Sequence, residues 1–162
     1  MKRTEIAQHK LFQIKDLLQQ IAVWRFQNRK IVFTNGCFDI LHKGHAHIIN
    51  ACGDLGYNTA VIVAINTDAS VKKLKGANRP INNEQDRAIM LANMHGVDAV
   101  ILFDEDTPYE LIKTIQPDYL VKGGDYTAEN IVGADIMKNS GGQVVIVPYL
   151  DNYSTTLILE RK

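Results

Sequence analysis

Lys30-Ile31-Val32-Phe33-Thr34-Asn35-Gly36-Cys37-Phe38-Asp39-Ile40-Leu41-His42-Lys43-Gly44-His45 is the stretch that decides the fold. Lys30–Thr34 is a short β-rich run, and Asn35-Gly36 ends it. A helix follows from about Gly44 to Leu55, closed by Gly56. Gly36 lets the backbone turn tightly and lets a ligand approach the main chain. His42 and His45 stand three residues apart at the helix start, so both face one side. A helix N-terminus favours anions through its unpaired N–H groups and its dipole. Gly44 leaves room for a nucleotide to lie over it, and two imidazoles beside open amides make a phosphate clamp. Metal binding by His42, His45 and His47 is the competing reading. It is disfavoured because the two cysteines, Cys37 and Cys52, lack ligand spacing and no acidic helper stands in a zinc-protease arrangement.

Outward from this stretch, strands and helices alternate. Thr59–Ile65 is a near-continuous apolar run, as in a strand buried on both faces. Glu84–His95 reads as a helix stopped by Gly96, Ala99–Phe103 as a strand, and Pro108–Ile115 as a helix ending before Pro117. Tyr119–Val121 is a brief strand, Asn130–Asn139 a helix stopped by Gly141-Gly142, Val144–Val147 the last strand and Ser154–Lys162 a closing helix. The pattern predicts a single-domain α/β fold, Rossmann-like and doubly wound. Its mainly parallel five-stranded sheet carries helices on both faces. Ligands of such sheets bind beyond the carboxyl ends of the strands, here after Thr34, Ile65, Phe103, Val121 and Val147. Ahead of the domain at 30–162, residues 1–29 form a helical extension. Ile6, Leu11, Ile14, Leu17, Leu18, Ile21 and Trp24 suit one structural amphipathic helix there.

The bulk composition narrows the class of function. The chain has 162 residues, enough for one sizeable core. Its 18 basic and 18 acidic residues cancel, which argues against nucleic acid or an anionic membrane as partner. Two cysteines make no disulfide framework, so free buried thiols are expected. The start, MKRTEIAQHK, lacks a signal peptide's apolar run, and no stretch is apolar enough to span a bilayer. The reading is cytoplasmic.

A second chemical signal closes the chain in Ser154-Thr155-Thr156-Leu157-Ile158-Leu159-Glu160-Arg161. Ser154 suits a helix N-cap, and hydroxyls beside free N–H groups could hold a triphosphate tail. Gly36–His45 matches G-x-F-D-x-x-H-x-G-H, and the chain thereby resembles the HxGH nucleotidylyltransferase superfamily, whose S-T/S-T/S-x-x-x-x-R element is similar to 154–161. Asn66–Gly76, Arg79-Pro80-Ile81-Asn82, Asp86-Arg87 and Leu120–Tyr126 narrow the likeness. They resemble the heptose 1-phosphate adenylyltransferase domain of ADP-heptose synthesis, over roughly Lys30 to Arg161. Relatives carry Glu-Gly-Arg before the Ser-Thr-Thr element, where this chain has Asp151-Asn152-Tyr153.

The resemblance implies transfer of AMP from ATP to D-glycero-β-D-manno-heptose 1-phosphate for lipopolysaccharide core synthesis. Pyrophosphate is released, and Mg²⁺ is expected to bridge phosphate oxygens with few dedicated protein ligands. His42, His45 and Lys75 are the expected catalytic residues. Thr34, Asn35, Gly36, Cys37, Phe38, Gly44, Lys122, Gly124, Asp125, Ser154, Thr155 and Arg161 are expected around the nucleotide, with Lys122, Gly124 and Asp125 on its base and ribose side. Arg79 and Arg87 are the weaker candidates for a substrate phosphate, and Asp39 is expected to hold the loop in shape. The partners implied are ATP and a sugar phosphate, and the likeness leaves room for a homodimer and a separate heptose kinase. The alternatives are a cytidylyltransferase for glycerol 3-phosphate or a similar phosphorylated alcohol, and a non-catalytic nucleotide-binding module.

Overall fold

The computed structural model describes residues 2–124, 127, 130–150, 153 and 155–160. In chain order the elements are α1 (Arg3–Gln8), β1 (Leu11–Phe12), α2 (Ile14–Phe26), β2 (Lys30–Gly36), α3 (Lys43–Gly53), β3 (Thr59–Asn66) and α4 (Asp68–Lys75). There follow α5 (Glu84–Ala92), β4 (Ala99–Phe103), α6 (Tyr109–Ile115), β5 (Tyr119–Gly123), α7 (Ala134–Ser140), β6 (Gln143–Val147) and α8 (Thr155–Glu160). Among the described residues every strand pairing is parallel, in the order β1-β4-β3-β2-β5-β6. The class is the expected α/β one, but the sheet has six strands, not five.

The extra strand comes out of the stretch that reads as one helix. Leu11 pairs with Val100 and Phe12 with Ile101, and the Val100 N–H donates to the Lys10 carbonyl at 2.7 Å. The five-residue step from Ile6 to Leu11 breaks helical spacing, and the core takes Ala7 (2 % exposed) in place of Ile6 (46 %). Past the break, Leu17, Ile21 and Trp24 are buried at spacings of four and three, as an amphipathic helix requires.

Alternation along β2 sends side chains to two layers. Ile31 and Phe33 pack with Leu17, Ile21, Ile112 and Met137 from α2, α6 and α7. Val32 packs on the other face with Ile49, Cys52 and Leu91 from α3 and α5. Central β3 is buried from Ala60 to Asn66, which accounts for its unbroken apolar run.

Two further differences shape the ligand side. The segment after β3 coils into α4, capped by the Thr67 hydroxyl accepting the Ser70 N–H at 3.2 Å. Helix α7 starts at Ala134 and not Asn130, because Gly133 takes the left-handed φ of 91°. A Cβ there would meet Ile112 Cδ1 at 2.8 Å, so glycine is required on both counts.

From β2 the chain proceeds outward through β3 to β4, then returns to place β5 and β6 on the other side. The order therefore reverses between β2 and β5, whose carboxyl ends flank the crevice where such sheets bind ligands. Lys122 Nζ spans it, donating to the Asn35 carbonyl at 3.4 Å.

Candidate active site

The loop after β2 is built by three mutually dependent residues. Phe38 adopts a left-handed φ of 49°, and its ring folds back so far that a Cβ on Gly36 would approach it to 3.1 Å. Asp39, 1 % exposed, turns inward. Its carboxylate accepts from Arg79 Nε, from the Ile81 N–H at 2.7 Å and from the Asn82 N–H at 3.2 Å, while its carbonyl accepts Asn82 Nδ2 at 2.6 Å. Burial alone would raise the Asp39 carboxyl. The bonds from Asn82, Arg79 and Ile81 outweigh it and hold the group below its usual range. Ionised Asp39 thus fastens residues 79–82 to the histidine loop.

The histidine pair sits where α3 begins, with His42 at the N-cap. The two rings stack at 3.8 Å with 23° between planes, and the Phe38 ring lies 4.9 Å from His45. The His42 backbone N–H faces His45 Nδ1 at 3.4 Å. Nδ1 being the acceptor, the proton of neutral His45 resides on Nε2. Burial, with His42 and Lys75 adding to it, pushes His45 down to about 4, and burial lowers His42 as well. Both rings are neutral donors at physiological pH, beside N–H groups that a first helical turn cannot satisfy internally. Gly44 is indispensable here: a Cβ would stand 3.0 Å from the His42 ring and 3.5 Å from Tyr153 Cβ. The approach to α8 is thereby laid against the histidine helix, where the Lys43 ammonium lies 5.5 Å from the Tyr153 ring centre.

Beside the histidines, at the carboxyl ends of β2, β3, β4 and β5, a cavity of about 380 Å³ opens. It is lined by Asn35, Gly36, Cys37, Asn66, Asp106 and Lys122 among others. Burial holds the Lys122 amine down to about 8. Asn66, 4 % exposed, faces the Cys37 thiol at 3.7 Å and donates to Ser70 Oγ at 2.9 Å. Asn66 and the 106–108 turn were not assigned to the site from sequence. Their position just beyond β3 and β4 was the available signal.

Unmet hydrogen-bonding capacity gathers at this one end of the molecule. Among the described residues, the buried side-chain atoms without a partner are Asn35 Oδ1, His42 Nδ1 and Arg79 Nη2. Orphaned polar atoms are costly in a folded protein and call for an explanation. Here all three stand on or beside the histidine loop.

The fold brings together Asn35, Gly36, Cys37, Phe38, His42, Gly44 and His45, and adds Lys75 from the end of α4 and Lys122 from β5. Thr34 is 2 % exposed within β2. Gly124 takes a left-handed φ of 134° and donates its N–H to the Val147 carbonyl at 3.0 Å. Thr155 opens α8. Asp125, Ser154 and Arg161 lie outside the described residues, as do Asp151 and Asn152. Arg79 keeps one nitrogen free of partners while bound to Asp39. Arg87 corrects the expectation that it meets a substrate phosphate, because its side chain is 0 % exposed. It donates to the Cys37 carbonyl at 2.6 Å, the Asn82 carbonyl at 3.0 Å and Asp68 Oδ1 at 2.8 Å. Its work is to tie the loop after β2 to α4 and α5 from within.

Comparison with known proteins places the chain in a family. The family model described as cytidylyltransferase-like matches residues 33–161. A bifunctional protein HldE from Marinomonas sp. is 54% identical over 147 residues, covering 91% of this chain and 30% of the relative. The protein of the same name from Wolinella succinogenes is 49% identical over 151 residues, again covering 91% and 30%. The chain therefore spans about a third of the length of the curated relatives it matches. A solved structure described as the lipopolysaccharide core biosynthesis protein of Thermoplasma volcanium superposes with a TM-score of 0.58 at 27% identity, covering 77% of this chain and 98% of that one. No helix among the described residues is long and apolar enough to cross a membrane.

Proposed function

The chain belongs to the cytidylyltransferase-like family of nucleotidyltransferases, and on that premise we propose that it transfers AMP from ATP to D-glycero-β-D-manno-heptose 1-phosphate. The observation that carries the reading is the stacked histidine pair at the head of α3, with His42 Nδ1 itself left without a partner. Such a constellation is matched to a polyanion that brings its own acceptors. The choice of heptose rests on the likeness of residues 66–87 and 120–126 to the ADP-heptose enzymes. The names carried by the relatives and by the solved neighbour fit that choice.

In the reaction a non-bridging oxygen of the sugar phosphate attacks the α-phosphorus of ATP in line. The bond from that phosphorus to the bridging β-oxygen breaks, and its electrons leave with pyrophosphate. A phosphate monoester has its second pKa near 6, so the nucleophile is largely dianionic at neutral pH and no general base is needed. Catalysis is positioning and charge stabilisation. His45 Nε2–H and His42 donate to the triphosphate. Lys75 supplies a cation within electrostatic reach of His45, and Arg79 Nη2 is available to a phosphate oxygen. Asn35 to Phe38 line the nucleotide, and Ser154, Thr155 and Arg161 serve its tail. As phosphates approach, their charge raises the imidazole pKa values, so the pair gains a proton's worth of stabilisation as negative charge accumulates. Among the described residues no three His, Cys, Asp or Glu side chains converge. Magnesium, when bound with the triphosphate, would supply further positive charge against the phosphates.

The deciding assay follows pyrophosphate release with ATP and heptose 1-phosphate against CTP and glycerol 3-phosphate. Release with the first pair alone is the expected result. Release with the second pair alone would overturn the substrate and keep the chemistry, and silence with both would favour a binding module.

A further inference from the structure

Lys122 presents an unresolved electrostatic problem. Its side chain is half-buried at the switch point between β2 and β5, and its hydrogen bond to the Asn35 carbonyl is a long one, 3.4 Å. Among the described residues it has no carboxylate partner: the ion pairs join other groups. Asp106 lines the same cavity without pairing with it. Burying a charge without a counter-charge is costly, and the cost falls when a ligand supplies the anion. The depressed titration of this amine is the same cost seen another way.

The anion it awaits differs from the one the histidines await. The 380 Å³ cavity that Lys122 lines reaches across β3 and β4 to Asn66, Phe103 and Thr107. His42, His45 and Lys75 do not line it. The Lys122 cavity and the histidine pair are therefore separate groups of residues, joined by the loop that runs on from Gly36-Cys37. In-line displacement requires such a division, because the nucleophile and the leaving pyrophosphate must stand on opposite sides of the phosphorus. A ligand with phosphate oxygens for Lys122 supplies the missing counter-charge, and the volume suits a phosphorylated sugar.

The geometry points to Lys122 as the cation that receives the phosphate of the acceptor substrate. This rests on the adenylyl-transfer reading above, and it moves Lys122 from the base and ribose side of the nucleotide to the nucleophile.

The test compares wild type with Lys122→Met and Lys122→Arg by calorimetric titration of heptose 1-phosphate and of ATP separately, so that binding is read without turnover. Methionine fills similar volume and removes the buried charge, so the melting temperature is expected to hold or rise. Lys122→Met is expected to weaken the sugar phosphate about 10- to 100-fold while changing ATP affinity less than about threefold, and Lys122→Arg to restore part of the loss. ATP weakened as much as the sugar phosphate, or neither weakened, overturns the assignment. If wild type neither binds heptose 1-phosphate nor releases pyrophosphate, the substrate reading has failed by itself. Line broadening of inorganic phosphate in phosphorus NMR then decides the lysine: its loss in Lys122→Met supports the anion site and its persistence overturns it.

Discussion

The two ends of the sheet are built on opposite electrostatic rules. At the amino ends, each acid is matched twice. Asp98 accepts the Val61 N–H at 2.8 Å and pairs with Arg29 at 2.8 Å; Asp118 accepts the Ile31 N–H at 2.8 Å and pairs with Lys30 at 2.9 Å. The strands start under caps whose carboxylates are spent on the protein itself. At the carboxyl ends the front of the site is unpaired, while Asp39 and Arg87 behind it spend their polar atoms on the protein. The proposed site and the polar residues that support it are thus separate layers at one end of the sheet.

That division can be broken most forcefully at Asp39. Asp39→Ala strands Arg79 in a site where its side chain is only 16 % exposed. The expected loss is about 3–5 kcal/mol of unfolding free energy, read from urea denaturation. A loss under about 1 kcal/mol would mean that the clamp is ornamental. Next comes the front of the site. His45→Ala should cut pyrophosphate release about 100- to 1,000-fold, as loss of a transition-state donor does, and leave the melting temperature near wild type. Near-normal turnover would remove His45 from the chemistry.

The same imidazole gives a pH signature. His45 titrates near 4 in the folded protein against 6.5 in the unfolded chain, so between those values the unfolded state binds the extra proton. Folding stability should fall as pH drops from about 6.5 to 4, and the His45 contribution should then level off. His45→Gln should flatten that window in urea midpoints taken across pH. Asp39, lowered in the fold, contributes its loss only further down, below its unfolded value of 3.8. At the quiet end, Asp98→Ala breaks a pair that is 22% and 32% exposed on its two sides together with one strand-start bond. A cost of about 1–2 kcal/mol is expected with pyrophosphate release unchanged, and a large fall in activity would erase the contrast between the ends.

What could be read in the sequence follows the range of the forces involved. The β2 turn and the Gly36, Phe38 and Gly44 pattern were legible because local sterics write them: each glycine answers a ring within three residues. Strand β4 was legible end to end, since Ala99–Phe103 is both short and wholly apolar. Strand β1 was hidden, for a two-residue strand has no period and owes its existence to β4, far along the chain. Arg87 was misjudged for a related reason. An arginine near a phosphate motif looks like a ligand, and only the packed structure reveals three acceptors already waiting for it. Asn66 and the 106–108 turn escaped because their chemistry is plain and their significance lies in where the strands end.

The pairing of β1 with β4 also sets an order of events during synthesis. Leu11 and Phe12 leave the ribosome well ahead of the strand they join, which lies nearly ninety residues later. At ordinary elongation rates that is a wait of roughly 5 to 20 seconds. Through it β1 has no strand to pair with, whereas Leu17, Ile21 and Trp24 of α2 can already meet Ile31 and Phe33 of β2 and Ala60 and Ile62 of β3. The two ends of one short segment are therefore bound at different times, the helix to strands that follow it directly and the strand to one made much later.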